Sequence, residues 1–306
     1  MHGDGIYIGV DGGGTKTALA AFDGAGELIS ECTEGSLNYN FIGLEKALAH
    51  LEAGIDALAV PRAQIRAIGI GDPSIDDFSE SEAAQRFLSE AERRLGVPVF
   101  VRSDAYMTLY GLTLGRAAGV LVISGTGAMG IATAADGGIS VAGGWGRLTG
   151  DKGSGYDIGL RGISSALRAA DGIGRETALL PAALSYFSVS SPRRLIERFY
   201  GAEEPDVAGF ARCVAACAEQ GDACAEEILL EAARYLADCA SVLVRKSGAS
   251  VVGVYGSVLL RNRTVRSAFE AHLKERHPDV TVREPAVTAQ KSAALYAMEK
   301  EKEKTV

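Results

Sequence analysis

The chain opens on short apolar runs separated by glycine-rich turns. Ile6-Tyr7-Ile8-Gly9-Val10 precedes Asp11-Gly12-Gly13-Gly14-Thr15-Lys16-Thr17, Ala18 to Phe22 forms a second run, and Asp23-Gly24-Ala25-Gly26 separates it from Glu27 to Cys32. Runs of this length bounded by Asp-Gly signals predict an antiparallel meander of three strands. The period then lengthens. Leu44, Leu48, Leu51 and Ile55 share one face of a helix over Leu44 to Leu58, the spacing of an amphipathic helix. Ile65 to Ile70 reads as a strand, Ser81 to Leu95 as a helix, and Val97 to Val101 as a strand ending at Ser103-Asp104.

The meander then recurs. Val120-Leu121-Val122-Ile123 leads into Ser124-Gly125-Thr126-Gly127, followed by Ala128 to Ala135, Asp136-Gly137-Gly138 and Ile139-Ser140-Val141. The two segments align without a gap at an offset of 113. Asp11 falls on Ser124, Gly12 on Gly125, Gly14 on Gly127, Asp23 on Asp136 and Gly24 on Gly137. A fixed offset shared by two loops and two Asp-Gly turns indicates a duplicated domain; two unrelated hairpins are the alternative. The second half is richer in helix: Tyr156 to Ala170, Pro192 to Tyr200, Val207 to Ala218 and Ala223 to Lys246, with Gly221-Asp222 as stop and N-cap. Val251 to Val254 is a strand running into Gly256-Ser257, and Val265 to Lys274 and Thr288 to Lys302 are helices. The charged tail Glu299 to Lys304 is expected to fray into solvent. Meanders followed by helix–strand alternation predict α/β domains, each a mixed sheet flanked by helices.

Composition narrows the partners. The chain has 306 residues, 31 Lys and Arg against 39 Asp and Glu, and a net charge of −8. Its length suits two domains, and no basic stripe is present to follow a phosphodiester backbone, so nucleic acid is not expected as a partner. No apolar stretch is long enough to span a membrane, and Met1-His2-Gly3-Asp4-Gly5 has no export signal. A cytoplasmic protein without membrane contact is expected. Cys32, Cys213, Cys217, Cys224 and Cys239 have no CxxC spacing and read as reduced thiols. Cys213 and Cys217 share one helical face, where core packing is favoured over a metal or iron–sulfur pair. The composition leaves a homodimer open.

The 38 glycines cluster where chemistry is expected. Three glycines followed by Thr-Lys-Thr let backbone N–H groups and hydroxyls converge on one point, as a phosphate requires. Lys16 adds a cation, and Asp11 can hold Mg²⁺ through water, because that ion prefers hard oxygen ligands. A structural hairpin turn uses the same residue types. Two such hairpins in register, facing each other across a cleft, would hold a polyphosphate from both sides.

Ile8 to Thr17 resembles the first phosphate motif of the sugar kinase, Hsp70 and actin superfamily, Ser124-Gly125-Thr126-Gly127 its second, and Val252 to Ser257 its adenosine motif. Ser36-Leu37-Asn38, Ser103-Asp104-Ala105, Gly143-Gly144-Trp145-Gly146 and Gly150-Asp151-Lys152-Gly153-Ser154-Gly155 are more selective. With them, residues 6 to about 297 resemble the BadF/BadG/BcrA/BcrD ATPase family, in its N-acetylglucosamine kinase-like branch. The resemblance implies two duplicated ribonuclease H-like domains of the actin and hexokinase type, each with a five-stranded mixed sheet, around an interdomain cleft. The expected domains are 1–116, completed by the C-terminal helix 288–306, and 117–287. It implies that ATP and Mg²⁺ are used to phosphorylate an amino sugar, foremost N-acetylglucosamine at its 6-hydroxyl. Glucosamine, N-acetylmannosamine and N-acetylmuramic acid are the alternative acceptors.

Site residues follow by position. Asp104 matches the catalytic base. Asn38, Asp104, Gly127, Ala128, Gly144, Trp145, Gly146 and Asp151 match the sugar pocket, with Trp145 as an apolar wall. Gly13, Gly14, Thr15, Lys16, Thr17, Thr126, Gly256 and Ser257 match the nucleotide contacts, with Asp11 holding Mg²⁺ through water. Bland readings accompany the sharp ones: Asp104 as the N-cap of a helix over Ala105 to Leu112, Asp151 as a turn cap, and Trp145 as half-buried packing. The sequence also departs from the family pattern. Lys152 replaces the usual acid, and Gly71-Asp72-Pro73-Ser74-Ile75-Asp76-Asp77 replaces a small-residue strand end. Gly256-Ser257 has one glycine where many members have two, and Pro285 to Gln290 lacks the usual Gly-Ala. Two other functions occur on such a fold: an iron–sulfur ATPase activator of a radical dehydratase, and a non-catalytic sugar sensor. Helix-spaced cysteines weigh against the first, and the intact Asp104 weighs against the second.

Overall fold

The computed structural model describes residues 5–13, 15–75, 77, 81–115, 117–202 and 204–305. In chain order the elements begin with β1 (Ile6–Asp11), β2 (Lys16–Asp23), β3 (Leu28–Gly35), α1 (Tyr39–Ile42) and α2 (Leu44–Ala57). β4 (Ile65–Gly71), α3 (Glu82–Leu95), β5 (Val99–Arg102) and α4 (Asp104–Thr113) follow. The second series is β6 (Gly119–Ser124), β7 (Ala128–Thr133), β8 (Ile139–Gly143), α5 (Gly155–Ala170), α6 (Leu179–Tyr186), α7 (Arg194–Phe199) and α8 (Val207–Glu219). It continues with α9 (Ala223–Ser247), β9 (Val251–Tyr255), α10 (Ser257–Arg261), α11 (Arg263–Arg276) and β10 (Thr281–Arg283), and the chain closes with α12 (Ala289–Thr305). Two compact units result: Met1–Ala117 with Pro285–Val306, and Ala118–Glu284.

Each unit holds one five-stranded sheet, in the order β3-β2-β1-β4-β5 and β8-β7-β6-β9-β10. In both, the first three strands form an antiparallel meander, and two further strands extend the sheet in parallel. The duplication read from the sequence is therefore a duplication of topology. The 113-residue offset carries β1 onto β6 end to end, and the second turns match as well. Asp23 Oδ1 accepts from the N–H of Ala25, and Asp136 Oδ1 from that of Gly138, both at 2.9 Å. The first hairpin loops are not in the same pairing register. The last pair around the first loop is Asp11 with Ala18, whereas Ser124 pairs with Ala128. Three more residues thus bulge from the first loop than from the second, and the gapless alignment conceals this.

Helix starts follow local chemistry. The side chains of Ser81, Asp222 and Ser154 each accept an N–H three residues on, capping α3, α9 and α5, and Gly96 and Gly248 close α3 and α9 in the left-handed conformation. The expected fraying of Glu299 to Lys304 is corrected: α12 runs helical to Thr305. Glu299 accepts a 2.8 Å bond from the Tyr110 hydroxyl, and Glu301 pairs with Arg66 at 2.7 Å. The tail is ordered because α12 lies directly on the sheet of the first unit. A Cβ on Gly9 would stand 1.7 Å from the carbonyl of Gln290, and one on Gly69 1.9 Å from that of Ala293. Gly9, read within the phosphate motif, is therefore a packing residue. The three-residue β10 and the apolar α6 are absent from the sequence-based reading, as both are too short to show a period.

Candidate active site

In the first unit, β1, β4 and β5 are parallel neighbours, and Asp11, Gly71 and Arg102 stand in one row across them. The residues that leave this row are Gly12, Asp72 and Ser103, with Asp104 next. Carboxyl ends of parallel strands are where open α/β sheets bind ligands. The row is tied together by Gly12 N–H to Gly71 O at 2.7 Å and Asp72 N–H to Arg102 O at 3.0 Å. Burial, and then the nearby charge of Asp104, push the Asp11 carboxyl up to about 6. Burial chiefly, with the charges of Asp72 and Asp77, raises Asp104 as well, an environment that favours the protonated form of an acid. Asp104 is not the helix cap. Ser103 holds that position, its Oγ accepting the Tyr106 N–H at 3.0 Å, and Asp104 is the first residue of α4, its Oδ1 accepting from Ala105 at 2.8 Å.

The first glycine loop leads to the expected sugar motif. Ser36 Oγ donates to Gly13 O at 2.8 Å and accepts from the Asn38 N–H at 3.0 Å. Asn38 is 7% exposed, and its Oδ1 has no hydrogen-bond partner. A buried unpaired amide oxygen costs about 1–3 kcal/mol, and a ligand hydroxyl would satisfy it. Thr15 and Lys16 are exposed, whereas Thr17 is fully buried with its Oγ1 unpaired. Lys16 and Thr17 are successive strand residues and point to opposite faces, so this triplet does not present three side chains to one ligand. Gly14 and Asp76 lie outside the described residues.

In the second unit, the loop after β6 is held by the start of α5. Gly155 N–H donates to Gly125 O at 2.7 Å, Tyr156 N–H to Thr126 O at 3.3 Å, and Ser124 Oγ to Gly153 O at 2.7 Å. Gly256 has φ +88°, and a Cβ there would stand 2.4 Å from Ser124 O, so the strand–glycine turn abuts the phosphate loop. A cavity of about 470 Å³ opens from this point. Its walls are Gly125, Thr126 and Gly155, Ala208, Gly209 and Arg212 of α8, and Ser257, Val258, Arg261 and Asn262. The size and the backbone-rich end suit a nucleoside with phosphates at the loop.

The second sugar motif is a tight loop of left-handed residues. Gly143, Gly144, Gly146, Asp151 and Gly153 all have positive φ, which for Asp151 marks a locally over-determined conformation. Gly144 N–H donates to the carbonyl of the buried Ala128 at 3.1 Å, and Trp145 is 76% exposed, which overturns its half-buried reading. Asp151 Oδ1 accepts from the Gly146 N–H at 3.1 Å, so the turn-cap reading of Asp151 holds in part. Its Oδ2 would be 2.9 Å from a Cβ on Gly127. The phosphate loop and the sugar motif of this unit therefore meet at Gly127 and Asp151.

These motifs sit on a chain whose residues 8–297 match the BadF/BadG/BcrA/BcrD ATPase family. The chain belongs to that family. It is 27% identical to the N-acetyl-D-glucosamine kinase of Dictyostelium discoideum, over 97% of this chain and 99% of that one. It is 30% identical to glucosamine kinase GspK of Vibrio cholerae, over 83% and 85%. The ROK family glucokinase of Streptomyces griseus, solved with glucose and AMPPNP, superposes with a TM-score of 0.60 at 20% identity, over 96% of this chain and 100% of that one; this likeness shows the fold.

In this member of the BadF/BadG/BcrA/BcrD family the departures acquire structural reasons. Lys152 Nζ binds Asp157 Oδ1 at 2.9 Å, while Asp157 Oδ2 accepts the Gly153 N–H at 3.0 Å. The lysine thus spends its charge on the α5 start. Sequence reasoning missed the α8 wall of this cavity, because Ala208, Gly209, Ala215 and Ala216 read only as small helix residues. The cations Arg212 and Arg261 on that wall were the available signal. Cys213 and Cys217 lie on α8, half-buried and buried, and all five cysteines are free. No group of three or more His, Cys, Asp or Glu side chains placed for a metal ion occurs among the described residues. An ion at Asp11 would thus rest on one or two carboxylates, with water and phosphate oxygens completing its shell, as Mg²⁺ prefers. A buried carboxyl whose proton affinity is raised by burial and by the nearby Asp104 charge fits such an ion. No helix among the described residues is long and apolar enough to cross a membrane.

Proposed function

We propose that this protein is an ATP- and Mg²⁺-dependent kinase that places phosphate on the 6-hydroxyl of an amino sugar, foremost N-acetylglucosamine. The observation that carries this reading is Asp104, a carboxylate made more basic by burial, at the ends of parallel strands that also carry a glycine-rich phosphate loop. Asp104 accepts the hydroxyl proton while the sugar oxygen bonds to the γ-phosphorus. The bond from that phosphorus to the ADP oxygen breaks, giving sugar phosphate and ADP, and the proton is then released to water. Asn38 Oδ1 accepts a sugar hydroxyl, Asp151 holds another, and Gly144, Trp145 and Gly146 form the wall beside the acyl group. Gly13, Gly14, Thr15 and Lys16 from one loop and Thr126 from the other hold the phosphates, and Gly256 and Ser257 border the nucleoside. A magnesium ion held through water at Asp11 would neutralise phosphate charge.

The names of the related kinases differ in whether the amino sugar carries an acetyl group, and the exposed indole of Trp145 offers an acetyl methyl group an apolar surface. Coupled ADP release with Mg-ATP across hexoses and amino sugars tests the reading. N-acetylglucosamine is expected to give the highest kcat/KM, with 6-phosphate as product. ATP turnover indifferent to every amino sugar would overturn it.

A further inference from the structure

Asp104 is the only part of the β5–α4 junction that the proposed reaction uses, yet the junction is unusually well tied. Ser103 has extended backbone at the helix start, and its Oγ is used in both directions. It accepts the Tyr106 N–H at 3.0 Å and donates to Asp77 Oδ2, while Asp77 Oδ1 accepts the Ser103 N–H at 3.2 Å. The Asp77 side chain is 2% exposed. Arg102 Nη1 lies 3.9 Å from Asp77 Oδ1, and Arg102 is itself held from the other side. Arg102 Nε donates to the Tyr296 hydroxyl at 3.0 Å, and the guanidinium lies 5.0 Å from the Tyr106 ring centre.

We infer that Ser103 and Asp77, backed by Arg102 and Tyr296, are positioning residues that hold the Asp104 carboxylate in its reactive place. A two-point grip on Ser103 fixes both the backbone N–H and the hydroxyl of the residue before Asp104. The angle at which α4 leaves β5, and with it the Asp104 side chain, then has one setting. Small misplacements of a reacting group are costly in phosphoryl transfer, where alignment supplies much of the rate. A buried carboxylate taken up by two bonds from a single residue is poorly explained as a surface solubility feature.

The inference rests on the kinase reading, and its test separates the two. Ser103→Ala and Asp77→Ala are each expected to lower kcat about 10- to 100-fold with both KM values within about threefold of wild type. Ser103→Thr and Asp77→Asn, which keep a hydrogen-bonding partner, should recover most of that loss. In an Asp104→Asn background the alanine changes should cost nothing further, since they act only through the missing carboxylate. An equal loss in that background, or wild-type kcat in either alanine variant, would overturn the inference. Amide hydrogen exchange gives a readout independent of the substrate. Exchange at Tyr106 should quicken at least tenfold in Asp77→Ala while β1 and β4 amides stay unchanged, and unaltered Tyr106 protection would also overturn it. If the wild-type protein phosphorylates no amino sugar, the kinase reading fails, and the exchange result still decides whether Asp77 holds the junction.

Discussion

Burial of the Asp11 and Asp104 carboxyls works against the fold that holds them. The Asp11 carboxyl stands at about 6 against an ordinary value of 3.8, a difference of roughly 3 kcal/mol between its two protonation states. The folded chain binds that proton more tightly than the unfolded chain does. The contribution of Asp11 to stability is therefore fully present below its unfolded value near 4 and is lost as pH rises towards 6. In chelator, Asp11→Asn should raise the melting temperature at pH 8 by roughly 3–8 °C relative to wild type. That advantage should vanish near pH 4. A variant no more stable than wild type at pH 8 would show that burying the Asp11 carboxylate costs the fold nothing. The chemical prediction at this scale concerns Asp104. Asp104→Asn should keep the fold and sugar binding while turnover drops about 10²–10⁴-fold, the usual contribution of a general base. Turnover unchanged in folded protein would remove Asp104 from the reaction. The role expected of Asp104 came from the family resemblance, while the places of both residues were legible in the sequence, Asp11 directly after an apolar run and Asp104 three residues beyond one. The charges facing Asp104 were not, because Asp72 and Asp77 reach it from a loop whose path no periodicity reveals.

At the scale of elements, glycines separate into those that bind and those that pack. Gly9 and Gly69 face the backbone of α12, so a methyl group at either would overlap a carbonyl oxygen. Overpacking against backbone costs about 1–3 kcal/mol or more. Gly9→Ala should thus melt well below wild type, a result readable by calorimetry, although Gly9 lies within the phosphate motif. Gly256 is different. Its left-handed φ and its closeness to Ser124 O mean that Gly256→Ala displaces the second phosphate loop. Its KM for ATP should rise at least tenfold, with the sugar KM changing far less; equal loss of both would indicate general damage. Gly127 belongs both to the second phosphate motif and to the expected sugar pocket, and a Cβ there would stand 2.9 Å from Asp151 Oδ2, so Gly127→Val is expected to weaken sugar as well as ATP. Strands and long helices were readable because their periods repeat. The role of each glycine was not, since it depends on what approaches from elsewhere in the chain.

The whole molecule repeats one topology twice, and that duplication was visible as a constant offset before any strand was placed. The proposed reaction divides its chemistry between the copies. In the proposed complex the first unit supplies Asn38 and Asp104, and the second supplies Thr126, Trp145 and Asp151. Phosphoryl transfer requires the acceptor oxygen and the γ-phosphorus to come within bonding reach, so a sugar and a nucleotide held by residues of both units must fix those units relative to each other. Such a ligand favours the state in which both sets of contacts are made, by its differential affinity and by no more than that. Closure would also exclude water, which competes with the sugar as phosphoryl acceptor. Trp145 is the sole tryptophan and is largely exposed, so its emission reports on this step without a label. Adding N-acetylglucosamine should change the intensity of that emission and shift it to the blue as the indole loses water. The radius of gyration in solution scattering should fall with sugar bound, and ATP hydrolysis without sugar should remain slow. A sugar that binds by calorimetry yet leaves both the emission and the radius unchanged would mean that the units are already set for transfer and that ligand binding moves neither.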